Sequence, residues 1–123
     1  MEIEVSIGEI VDKLSILEIK KNKITSADKL KNILNEYNYL YEIVFKKMKI
    51  LSEDYKSLLN INMELWDIED LIRVKEFKKE FDDEFVKLAR NVYITNDNRA
   101  KIKKMINIKY NSNLIEEKSY EQY

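Results

Sequence analysis

Apolar residues recur along the chain mostly at three- and four-residue steps, the spacing that gathers side chains on one face of an α-helix. Ile7, Ile10, Val11, Leu14 and Leu17 make the first stripe. Ser6 and Glu9 stand ahead of it as a Ser-x-x-Glu capping box, and Val5 and Ile10 occupy the positions of a hydrophobic staple. The first helix therefore starts at Ser6 and frays after Lys21, and Thr25, Ser26 and Asp28 supply the next start signal. In the second helix Leu30, Leu34, Tyr37, Tyr41, Val44, Met48 and Leu51 alternate steps of four and three, a heptad seam that Ile33 and Leu40 widen. A seam this short reads first as half of an intramolecular helical hairpin and second as a coiled-coil dimer.

Ser52, with Glu53 and Asp54 after it, can cap a third helix, since acids suit the positive end of a helix dipole. Leu58, Ile61, Leu65, Ile68 and Ile72 form one stripe, while Leu59, Met63 and Trp66 form another on a different side. A helix apolar on two sides is central in a bundle or half-covered by a second subunit. Residues 77–83 mix aromatics with charges and contain a turn, after which Asp82 or Asp83 caps a fourth helix with Phe85, Leu88, Ala89 and Val92 facing inward. Thr95, Asn96, Asp97 and Asn98 read as a further turn and cap. A fifth helix then carries Ile102, Ile106 and Tyr110. Residues 111–123 are polar and lack a period, as a tail that is extended or docked would be.

The pattern predicts an all-α fold in one domain, residues 1–123: about five helices in an antiparallel bundle, with a long central hairpin made by the second and third and a polar C-terminal tail. The nearest thing to a strand is a short extended segment at 3–5.

Composition narrows the chemistry. There is no Cys and no His, so disulfides, thiol catalysis, zinc–thiolate sites and the usual base near neutral pH are all unavailable. Acid–base work would fall to carboxylates, Lys, Tyr or hydroxyls, with a hard ion such as Mg²⁺ if a metal took part. A net charge of −1 argues against a dedicated nucleic-acid binder and against docking on anionic membrane. The acids at Glu2 and Glu4 do not suit a signal peptide, and no apolar run is long enough to span a membrane, so the expected location is cytoplasmic or inside a virion. In a chain with nineteen Lys, the three Arg stand out, as do the single Trp66 and the single Gly8.

Two groups of polar residues could carry function. Glu18, Glu69 and Arg99 fall on apolar stripes, and Arg73 lies one turn after Glu69 in the favourable acid-first order. Buried charges need partners, so Glu18, Glu69, Arg73, Arg90 and Arg99 form a candidate polar cluster inside or at the edge of the bundle. The plainer alternative is that these long side chains border the stripes and reach water. The second group is Glu9 with Asp12 and Glu64 with Asp67, two Glu-x-x-Asp pairs that could hold Mg²⁺ between facing helices. That arrangement resembles the all-α nucleoside triphosphate pyrophosphatases, although their first Glu-x-x-Glu motif has no counterpart in the second helix, where Glu36 and Glu42 are six apart. A mild basic cluster at Arg99, Lys101, Lys103, Lys104 and Lys109 reads as a solvated helix face. Gly8 in the first turn suits close helix packing better than a phosphate loop.

Several stretches occur together in a specific order: Val5-Ser6-Ile7-Gly8-Glu9 with Asp12-Lys13, Leu65-Trp66-Asp67-Ile68-Glu69-Asp70 with Ile72-Arg73, Phe85-Val86-Lys87-Leu88-Ala89-Arg90 with Val92-Tyr93, and Glu116-Glu117-Lys118-Ser119-Tyr120. They resemble a family of short all-helical proteins of unknown function from bacteria and viruses, over nearly the whole chain. The resemblance implies one intact domain and supplies no catalytic residues. The functional expectation is therefore a non-enzymatic helical interaction or accessory module that self-associates as a homodimer and needs no cofactor, with an added protein partner as an option. The alternative is a Mg²⁺-dependent hydrolase of nucleoside triphosphates.

Overall fold

In the computed structural model, which describes residues 1–121, the chain forms α1 (Ile7–Lys23), α2 (Ala27–Tyr41), α3 (Ser52–Lys78) and α4 (Asp83–Lys109). The fold is all-α, and no strand occurs among the described residues. Of the expected C-terminal tail, residues 122–123 lie outside the described residues.

Helix α1 starts as its sequence predicts, with the Glu9 amide donating to Ser6 Oγ at 3.2 Å. The Glu9 carboxylate does not close the capping box and instead accepts from Lys103 of α4. Gly8, Val11, Asp12, Leu14, Ser15, Leu17 and Ile19 are all buried, because α1 packs against α2, α3 and α4. It is the central helix of the bundle. Helix α2 has no fully buried residue between Ala27 and Tyr41 and lies against α1, with Tyr37 and Leu40 of its seam packed on the core. The main partner of α2 within the chain is α1.

The end of α2 widens into a π-helical turn, Glu42–Lys47, in which the Met48 amide reaches back to the Ile43 carbonyl. Such a turn rotates the following side chains relative to an α-helix. It buries Val44 completely and delivers Ile50 to the core after a left-handed Lys49 (φ 54°). Val11, Leu14, Val44, Ile50, Tyr55, Leu58 and Ile106 form that core, flanked by a run of rings through Tyr37, Tyr41, Phe45 and Tyr55.

Helices α3 and α4 form the long hairpin of the bundle. Lys79, left-handed at φ 57°, ends α3, and the Asp82 carboxylate caps α4 by accepting from the Phe85 amide at 2.9 Å. Lys75 bridges Glu80, Asp82 and Glu84 across this turn. At the other end of the pair Tyr110 donates to Asp54 at 2.5 Å and accepts from the Leu51 amide. The turn expected at 95–98 is absent: α4 runs through it, so there are four helices where about five are predicted. Thr95 is buried and Asp97 pairs with Lys118 of the tail, while Asn96 meets Arg99 one turn on within α4, so side chains able to cap a local turn are engaged along the continuous helix. The tail is docked, with Ser112 accepting from the Ile7 amide and Glu116 and Glu117 on Lys103 and Lys104.

The cover supplied by α1 stops partway along this hairpin. Its last residue, Lys23, stands 4.0 Å from Asp67, and α3 continues to Lys78. Beyond that level Leu71, Val74, Phe77, Phe81, Val86 and Tyr93 are exposed, Phe77 by 88%. No helix among the described residues is long and apolar enough to cross a membrane.

Candidate functional site

Where α1 crosses the hairpin, Gly8, Asp12, Ser15 and Ile19 form a stripe at steps of four, three and four, all of it buried. Asp12 lies at its centre with a side chain only 2% exposed. Its Oδ1 accepts from Arg99 Nε at 3.0 Å and from Asn62 Nδ2 at 2.8 Å, and Arg99 Nη2 donates to the other oxygen. Asn62 also donates to Ser15 Oγ at 2.7 Å, and Ser15 donates to the Asp12 carbonyl at 2.7 Å. Three helices are thereby fastened through one carboxylate. The guanidinium fork meets the carboxylate with two nitrogens, the strongest geometry open to such a pair. Among the described residues no buried side-chain nitrogen or oxygen lacks a partner, so the network meets the condition for a buried polar cluster to rigidify rather than weaken a core.

Electrostatics follow from this packing. Donating to the Asp12 carboxylate raises the Arg99 pKa further, outweighing the effect of burial. Burial opposes the charge on Lys103, but Glu9 at 2.8 Å, Asp12 at 4.0 Å and Glu116 at 3.4 Å together push its pKa up. Beside the network the Gly8 amide donates to Asn107 Oδ1 at 2.6 Å. A Cβ on Gly8 would stand 2.7 Å from the Lys103 carbonyl, so this residue is glycine because α1 and α4 touch there.

Next to the network, α1, α3 and α4 enclose a groove of about 540 Å³. Its apolar lining is Ile16, Ile19, Leu65 and Trp66, and its polar lining is Asn62, Glu69, Asp70, Arg73 and Arg99. Arg73 donates to Glu69 Oε2 at 2.8 Å and to the Glu69 carbonyl at 3.1 Å, with 70% of its side chain exposed.

The sequence matches one family model over the whole length of the chain, residues 1–123. The chain belongs to a family of unknown function (DUF6165). No curated protein and no solved structure matches it.

Of the residues that the sequence marks in this family member, Glu69, Arg73 and Arg99 come together in the groove. Glu18 points elsewhere and accepts from Tyr55 at 2.9 Å; burial and the Glu18 charge together drive the Tyr55 pKa far up. Arg90 is exposed on α4 and donates to Tyr93. The acids of the Mg²⁺ reading are not gathered: Asp12 is buried under Arg99 and Glu9 holds Lys103. Glu64 and Asp67 are exposed on α3, Asp67 beside Lys23. Among the described residues no three carboxylates stand where they could hold one metal ion. In the basic cluster, Lys103 and Lys104 are met by the tail acids and Lys109 by Asp54 at 2.9 Å. Asn62, Ser15 and Asn107 escape a reading based on charge. Their signal is positional, since Asn62 falls between Leu58 and Leu65, and Ser15 completes the step from Asp12 to Ile19.

Proposed function

We propose that this protein is a non-enzymatic helical interaction module that forms a homodimer through the distal end of the α3–α4 hairpin and acts in the cytoplasm. The observation that carries the reading is the exposure of Leu71, Val74, Phe77, Phe81, Val86 and Tyr93 past the end of α1. Exposed large apolar side chains gathered toward one end of a small domain support an interaction site. The charges around it favour a second copy of the chain as its occupant. Residues 70–90 contain six acids and six bases, interspersed, so two copies meet without net repulsion and can pair opposite signs. Two hairpins packed face to face would complete a four-helix bundle, the arrangement that buries such stripes. The absence of Cys and His and the scattered carboxylates support a binding role over a hydrolytic one.

Light scattering on protein eluting from a gel-filtration column tests the reading. The full chain is expected at twice its own mass at micromolar concentration, and Phe77→Asp at the mass of one chain. A single-chain mass for the unaltered protein at high micromolar concentration overturns it.

A further inference from the structure

The groove between α1, α3 and α4 combines features that the dimer reading does not use. It gathers two of the three arginines and the single tryptophan of a chain otherwise rich in lysine. Its volume of about 540 Å³ lies within the range of small-molecule sites. Apolar walls and convergent polar groups are the composition such sites share.

The charges in the groove are of both signs. Arg73 and Arg99 are opposed by Glu69 and Asp70, beside apolar walls from Ile16, Ile19 and Trp66. Two nitrogens of Arg99 are taken by Asp12, while its Nη1 has only a long 3.5 Å contact with Asn96, so a donor remains available. Arg73 is held by an exposed pair with Glu69, a contact of the kind that exchanges readily for another partner. A pure anion would meet Glu69 and Asp70, and a pure cation would meet both arginines. A molecule with both charges and an apolar body satisfies every wall.

We infer that this groove binds an apolar α-amino acid as its zwitterion, the carboxylate taken by Arg73 and Arg99, the ammonium by Glu69 and Asp70, and the side chain set against Trp66 and the isoleucines. The inference does not depend on the oligomeric state.

Trp66 is the sole tryptophan, so its fluorescence, excited selectively over tyrosine, reports the groove directly. The experiment titrates the full chain with L-phenylalanine and L-leucine, and with phenethylamine and 3-phenylpropionate, which each lack one charge. A saturable change in the millimolar range or below is expected for one or both amino acids. Each single-charge analogue should bind about tenfold more weakly or worse, the fold-change for losing one charge-assisted hydrogen bond. Arg73→Ala, at an exposed position, should weaken the amino acid by a similar factor while leaving the unfolding midpoint nearly unchanged. No saturable change with either amino acid overturns the inference. So does equal binding of an analogue, or binding that Arg73→Ala leaves intact.

Discussion

Below the level of Lys23 and Asp67 the α3–α4 hairpin is covered by α1, and above it the same two helices stand bare. Both halves carry many charges, and the charges behave differently. In the covered half Asp12 is drawn into the core against the part-buried Arg99, with Asn62 and Ser15 completing the set. Glu69–Arg73 at the border of the two halves, and Lys79–Glu76 and the acids around Lys75 in the bare one, remain in contact with water. A salt bridge in the first setting fixes how three helices sit, and one in the second contributes little. The extremes of apolar burial differ as well, with Leu58 and Ile106 fully buried in the covered half and Phe77 largely exposed in the bare one.

Breaking the buried pair should have the largest effect. Asp12→Ala leaves the Arg99 guanidinium without its carboxylate and should cost about 3–5 kcal/mol in denaturant melts. Adding Arg99→Met to that variant should recover much of the loss, because no charge is then stranded. An Asp12→Ala cost below about 1 kcal/mol would place the pair with the exposed ones.

Tyr55→Phe comes next, since it deprives the half-buried Glu18 of its hydrogen bond and should cost about 1–2 kcal/mol. It should also change the pH profile. The Tyr55 pKa is raised in the folded protein, so its contribution is present below the unfolded tyrosine value of about 10 and is lost as pH rises beyond it. Melts of the variant should fall less steeply above that pH than those of the unaltered chain. At the acid end Asp54 has the opposite sign. Burial resists its ionisation, but hydrogen bonds from Tyr110 and Lys109 hold its pKa below the ordinary value. Its contribution is present above about pH 4 and disappears as pH falls through the lowered folded value.

The smallest effect belongs to the exposed pair at the border of the bare half. Glu69→Ala removes a partner from an arginine whose side chain is 70% exposed, and melts should shift by under about 1 kcal/mol. A loss as large as that of Asp12→Ala would erase the distinction between the two halves.

How much of this the sequence carries depends on whether a residue's role is local or tertiary. The Ser6 cap and the Asp82 cap are local, and both are legible. So are the helical periods and the turn after Lys78, whose Lys79 is left-handed. Residues 95–98 mislead because Asn and Asp are strong turn formers, and what holds them helical includes the burial of Thr95 and the pairing of Asp97 with Lys118, which only the folded chain allows. The long hairpin, expected of the second and third helices, falls to α3 and α4, and α1 takes the centre with Gly8 in contact with Lys103 and Asn107. Arg99 is recognisable as a charge on an apolar stripe, and Asp12 as an acid in a pair with Glu9. Their union crosses 87 residues of sequence, and no spacing rule joins them. Asn62 is harder still, being uncharged and set in an otherwise ordinary helix.

The central claim is that the bare half of the hairpin is an association surface and not a source of stability. Sedimentation of the unaltered chain and of Phe77→Asp at equal micromolar concentration tests it most directly, with melts of both alongside. The account predicts two chains per particle for the first, one for the second, and unfolding of the dissociated Phe77→Asp chain that still tracks the covered core. One chain per particle for both proteins would contradict it.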